Sequence, residues 1–471
     1  MLRRRNEFKD RYDRFHKELR DEILSGRIRP GEFIMPENTL SEKYGISRVS
    51  VRKVLAELVE EGLIEKIAGK GNRVVEPAVE RKVETLQIAW FTGSYEIEIV
   101  RRMIERFERQ HPFVRLELVL LPEIGYTDTL LHLMEHGQGP DVFMMSDLHF
   151  REWVASGKTD WLSGYVPPHL ESESYPEVFS LFSHAGRMLA APFVFSPVVI
   201  CYNRSILQRN GIDEPVVESW DDLLRIASRC TGSPNADGIV DQYGFCFSSS
   251  MNRWPVFLLQ NGGRFLSEDG ARCVMAQPEN VEALDFCVQL MYKHQVSPIY
   301  SHGSTYLAEQ LFVKERVAMI LTTYYFMNEF RDHPIQWDVL NVPKAKTRET
   351  LLLGGGLAVN ARSGKEMLAR QVVDFMTGAE AQTMLKRHGC TIPALRQVAE
   401  DENLLDPAIH PPHYRRYLDA LPGARPLSSL GLDQSAINLL FDELNLVWAN
   451  MERPEHACKR IEQLMNAALP I

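Results

Sequence analysis

Between Leu86 and Lys158, short apolar runs alternate with helical stretches of about ten residues or more, and nothing else in the chain restricts its fold as strongly. "LQIAWFTG" ends at Gly93, and "EIVRRMIERFERQHP", "VRLELVLL", "TDTLLHLMEHG", "DVFMMSD" and "FREWVASGK" follow in order. Strands separated by helices of this length are joined by crossovers, which predicts an α/β sheet of parallel strands. No period of 20 to 50 residues recurs and no segment is low in complexity, so solenoids and fibrous folds are excluded. A chain of 471 residues has room for two to four domains.

The first 75 residues follow another pattern. Phe15, Leu19, Ile23 and Leu24 recur at helical spacing until "SGRIRPGE" stops the helix. "ENTLSEKY" suits a second short helix, which Gly45 breaks; Ser47 can cap the next. "RVSVRKVLAELVEEG" then reads as an amphipathic helix with Val51, Leu55, Leu58 and Val59 inward. Two β-rich runs, 63–67 and 72–75, flank the tip Gly69-Lys70-Gly71 and predict a wing. Arg48, Ser50 and Arg52 face outward near the start of the third helix, where a recognition helix meets base edges and phosphates. Charge agrees: 17 Lys and Arg stand against 14 Asp and Glu through Pro77, while the rest of this chain of net charge -10 holds 36 against 49.

The stretch "ILSGRIRPGEFIMPENTLSEKYGISRVSVRKVLAELVEEGLIEKIAGKGNRV" resembles the winged helix-turn-helix of the GntR family of bacterial transcription regulators. The resemblance implies an α+β domain over 1–75, a linker over 76–84, operator DNA as partner and a homodimer on that DNA. It implies DNA contacts from Asn38, Ser47, Arg48, Ser50, Arg52, Gly69 and Lys70. Asn38 stands where the family often has Arg, and Val49 where it often has Thr, so the operator sequence does not carry over.

Residues 87–398 resemble the family-1 extracellular solute-binding proteins of carbohydrate importers. "FERQHPFVRLELV", "GPDVFMMSD", "AAPFVFSPVVICYNRSILQRNGIDEPVVESWDDLLRIA", "LFVKERVAMILT" and "GGGLAVNARSGKEMLARQVVDFMTGAEAQTMLKRHG" carry that resemblance. It implies a two-lobed α/β body of the periplasmic-binding-protein type II kind over 85–471, with hinges near 195–198 and 320–323 and a sugar or oligosaccharide effector in the cleft. Ligand contacts are then expected from Ser94, Tyr95, Ser146, Asp147, Asn252, Trp254, Tyr324, Tyr325, Gly355 and Gly356. Trp254 and Tyr324 are equally suited to a core, and Asp147 to capping a helix.

Motifs for other functions are missing. No GxSxG or HExxH occurs, and "LLLGGGLAV" lacks the Lys and Ser or Thr of a phosphate loop. "HPPHY" offers two His without a third ligand. The expectation is a non-enzymatic regulator that needs no cofactor or metal. Its alternatives are a pyridoxal-phosphate aminotransferase-like body, which lacks its Schiff-base lysine signature, and a body that docks a protein partner. With no secretory signal, no run of about 18 apolar residues and seven cysteines never in CxxC, the chain reads as cytoplasmic, reduced and without a membrane partner.

Overall fold

The computed structural model describes residues 11–468, apart from 13–14, 17, 21, 24–25, 76–82, 233–239, 300–306 and 331–332. Leu24 and most of the expected linker lie outside the described residues. The chain divides into two compact units, Met1–Ile88 with Val100–Val119, and Ala89–Ile99 with Leu120–Ile471.

In the smaller unit, a helical N-terminal segment precedes α1 (Glu37–Tyr44) and α2 (Arg48–Glu60). Gly45 ends α1 at φ 60°, a left-handed conformation that costs a glycine little, and the chain can then turn into α2 within three residues. The wing is an antiparallel pair, β1 (Ile64–Ile67) and β2 (Gly71–Val74), in which Ile64 faces Val74. Phe15, Leu19, Leu40, Tyr44, Val51, Val54, Leu55, Leu58, Ile64 and Val74 form one core. Val54 occupies the inward position expected of Val59, which is 39% exposed. The reason is the helical period: 51, 54, 55 and 58 share a stripe that residue 59, about 100° beyond 58, leaves.

Beyond the wing, the chain forms two larger sheets. The first has the order β12 (Ile392–Pro393), β6 (Ala191–Pro197), β11 (Thr350–Val359), β5 (Val142–Ser146), β3 (Glu84–Phe91), β4 (Val114–Leu121). In the second the order is β8 (Tyr243–Cys246), β9 (Val317–Thr322), β7 (Val199–Asn203), β10 (Trp337–Leu340). The sheets are mixed rather than purely parallel: β8 and β9 run parallel, but β11 is antiparallel to both β5 and β6, and β7 to both β9 and β10. Local alternation specifies crossovers between neighbours in sequence, whereas β11 reaches the first sheet after a passage through the second.

The chain moves between sheets at Val198, between β6 and β7. It leaves the second sheet after Thr322 for the 3-10 turn Tyr324–Phe330, re-enters it at β10, and passes to the first sheet between Leu340 and Thr350, a stretch outside the two expected hinges. The passages are laced together. Val198 N–H donates to Leu351 O (2.8 Å), Thr350 Oγ1 to Val198 O (2.7 Å) and Tyr324 N–H to Ser196 Oγ (2.9 Å). All seven cysteines are buried, and no disulfide joins any of them among the described residues. No helix among the described residues is long and apolar enough to cross a membrane.

Candidate nucleic-acid interface and solute site

The start of α2 is set by its cap. Ser47 has extended backbone and its Oγ accepts from Ser50 N–H at 3.2 Å, while the two hydroxyls lie 2.9 Å apart. Both serines therefore serve the helix end first. On the face away from the core, Arg48 is exposed and makes no hydrogen bond or ion pair among the described residues. Arg52, also exposed, has its Nε 2.7 Å from Glu37 Oε2 on α1. Asn38 is exposed on α1, and Lys70 at the wing tip sits between Gly69 (φ 74°) and Gly71 (φ 105°). Guanidinium forks, an amide and an ammonium are donors for phosphates and for guanine or adenine edges.

In the larger unit, the loop after β3 and the start of α5 (Asp147–Ala155) after β5 bring polar groups to the carboxyl ends of strands, where open α/β sheets bind ligands. Trp90 Nε1 donates to Ser94 Oγ (2.8 Å), which donates to the buried carboxylate of Glu96. Burial pushes the Glu96 carboxyl up, against the bond from Ser94. Tyr95 OH donates to Glu329 Oε1 (2.8 Å), and its ring meets that of Phe326 edge-on. Ser146 is the cap of α5, accepting from His149 N–H (3.3 Å), and Asp147 follows at the first helical position. Asp147 is half-buried; burial raises its pKa, while Arg151, the Gly354 backbone and Arg253 favour its ionised form.

Arg253 comes from the other lobe and is buried. Its Nη1 donates to Asn252 O (2.9 Å), Nη2 lies 3.9 Å from Glu309 Oε1, and its guanidinium is 5.2 Å from the Phe326 ring. Glu309 is buried too: Oε1 accepts from Thr322 Oγ1 (2.8 Å), whereas Oε2 accepts no hydrogen bond among the described residues. Desolvation pushes its carboxyl up, and Arg253 opposes it. Tyr325 is half-buried and within electrostatic reach of Glu96 and Asp147. Acceptors, a guanidinium and the rings of Tyr95, Tyr325 and Phe326 thus converge from both lobes and a passage between them. Such a set can hydrogen-bond hydroxyls and stack on apolar C–H faces.

Other expected contacts sit elsewhere. Trp254 is 1% exposed and packs edge-on against Phe265 and Trp448 in the second-lobe core. Tyr324 is fully buried, its OH 2.5 Å from His410 Nδ1 and its ring against Tyr417. Gly355 and Gly356 are buried in β11, where an added Cβ would lie 2.0 Å from Met144 Cε and 2.8 Å from the Phe182 ring. Packing rather than ligand approach accounts for these four. Asn252 is half-buried, its Oδ1 accepting from Ser250 Oγ (2.5 Å). His413 Nδ1 lies 2.6 Å from Asp338 Oδ2, so the "HPPHY" histidines have separate structural partners. Among the described residues no group of three or more His, Cys, Asp or Glu is placed to hold a metal ion. Sequence reasoning missed Glu96, Arg151, Glu309, Phe326 and Glu329; each lies on a helix or turn whose local pattern carries no mark of a site.

His149 gives a pH test of this corner. Its ring packs 4.6 Å from Tyr126 and 5.1 Å from Phe91, and burial pushes its pKa down to about 4 from 6.5. The unfolded chain takes up the proton below 6.5 while the folded one waits until about 4. Stability should therefore fall as the pH drops across that window, by about 1.4 kcal/mol per unit at most. Thermal unfolding of the native protein and His149→Gln across the window should show a shallower acid limb for the variant; identical slopes would remove the assignment.

A winged helix-turn-helix with exposed donors, together with a two-lobed α/β body whose polar residues converge, defines a DNA-binding regulator fused to a solute-binding body. The chain belongs to the family described as "Bacterial extracellular solute-binding protein", matched over residues 93–383, and carries a domain of "Bacterial regulatory proteins, gntR family" at 11–74. It is 26% identical over 259 residues to an arabinooligosaccharide-binding protein of Halalkalibacterium halodurans, covering 52% of this chain and 55% of that one. It is 37% identical over 141 residues to the mannosyl-D-glycerate transport/metabolism system repressor of Escherichia coli, covering 30% and 53%. The chain thus spans about half the length of these two curated relatives. Among solved structures, an ABC substrate-binding protein from Listeria monocytogenes in complex with cycloalternan matches with TM-score 0.71 and 22% identity over 82% of this chain and 98% of that one. A maltose-bound protein of T. maritima matches with TM-score 0.68 and 20% identity, over 82% and 100%.

Proposed function

We propose that this protein is a one-component transcription regulator in which the head binds an operator as a homodimer and the body senses a sugar or oligosaccharide in the cytoplasm, without catalysis. The observation that carries the reading is the convergence of Asp147 from one lobe, Arg253 from the other and Tyr325 from a passage between them. A polyol touching all three binds closed lobes better than open ones, and differential affinity is what lets a ligand shift an equilibrium. The saccharides named for the relatives support the ligand class.

Coupling of this kind is typically worth 1 to 3 kcal/mol, so saturating sugar should change operator affinity about 5- to 150-fold. The test is calorimetric titration of a mono- and oligosaccharide panel, followed by operator titration with and without the best ligand. A flexible Gly/Ser insertion in 76–84 should leave both bindings intact and abolish their coupling. If no saccharide binds, the sensor reading falls; coupling that survives the insertion would sink transmission through the connector.

A further inference from the structure

On α2, core residues Val51, Val54, Leu55 and Leu58 point one way, and at about 100° per residue Val49 falls opposite them. It is 75% exposed, at the centre of the outward face of the first turn. Its neighbours on that face are cationic. Arg48 and Arg52 lie to one side of it, and Lys53, to the other, is drawn toward the Tyr12 ring, 5.7 Å away. The nearby hydroxyls of Ser47 and Ser50 are held against each other at the cap. The turn therefore presents one apolar side chain beside cationic donors. A β-branched residue there lowers helix propensity and buries little within the chain, but its χ1 is nearly fixed in a helix, so its two methyls hold a set direction.

We infer that Val49 is a specificity-determining residue that packs its methyls on the C5 methyl of a thymine in the major groove of each operator half-site. Thymine is the base that offers an apolar group there, and Arg48 and Arg52 beside Val49 bring the helix to the duplex. The inference rests on the operator-binding reading above. Its distinctive content is that one base is read by methyl contact rather than by hydrogen bonds.

The experiment begins with duplexes selected from a randomised library by the full-length protein. The selected site is then resynthesised with each thymine in turn replaced by deoxyuridine, which removes only the C5 methyl. Native protein should lose affinity about fourfold per half-site at one thymine position, the factor for burying one methyl-sized group, and about 15-fold when both half-sites are changed. Val49→Ala should bind the thymine and uracil duplexes equally; being exposed, it should keep the native circular dichroism and melting temperature. A native protein indifferent to every thymine methyl, or a Val49→Ala variant that keeps the preference, would overturn the assignment. A uniform loss across all duplexes would place Val49 against the sugar-phosphate backbone and overturn it too. Selection of no duplex would bring down the operator reading along with it.

Discussion

Replacing Arg48 by Ala is expected to weaken operator binding by about 1 to 3 kcal/mol per half-site, and by twice that for a dimer on two half-sites. Arg48 is exposed in the first turn of α2 and engages no other described residue, so its guanidinium meets DNA without breaking a bond in the protein. Arg52 differs, because its Nε is 2.7 Å from Glu37 Oε2. Such a surface pair is worth about 0 to 1 kcal/mol, and Arg52 must give it up or share it at the duplex. Arg52→Ala should therefore cost less than Arg48→Ala, and Glu37→Gln should narrow the difference. Anisotropy titrations at fixed salt, with operator and scrambled duplexes, make the comparison. Unchanged affinity and specificity in both Arg variants would remove α2 as the recognition helix.

The second large effect is expected at Asp147. Its carboxylate is half-buried between Arg151, Arg253 and the Gly354 backbone, all of which favour the ionised form against burial. A hydrogen bond from a ligand hydroxyl to such a charged acceptor contributes about 1.5 to 3 kcal/mol, so Asp147→Asn should lower saccharide affinity roughly 10- to 150-fold. Asn keeps the shape of the site, and Ser146 still caps α5. Operator affinity without sugar should stay native, because the helix-turn-helix core contains no part of this site. Calorimetry with the best saccharide, alongside operator binding with and without it, reads both quantities. Native sugar affinity in the variant would move the site away from α5.

The helix-turn-helix was legible in the sequence because its signals are local. A glycine able to take φ 60°, a serine able to cap, and apolar residues at helical spacing act within a few residues of one another. Only the fourth inward residue of α2 was misplaced, Val59 for Val54. The body was legible as a class for the same reason: apolar runs alternating with helices specify an α/β fold wherever they occur. The proposed solute site was legible only in part. Asp147 and Tyr325 were expected and face the same region, together with Arg253.

What the sequence by itself determined is the winged helix-turn-helix, the α/β character of the body and the loops after β3 and β5 that supply polar groups. Tertiary structure alone decided that β11 runs antiparallel between β5 and β6, that Gly355 and Gly356 fit against Met144 and Phe182, and that Trp254 and Tyr324 lie in cores. It also decided that Glu309, far along the chain, comes to face Arg253. The physical reason is range. Capping, helical period and turn geometry are settled between neighbours in the chain, whereas burial and charge pairing depend on which distant segments the packing brings together.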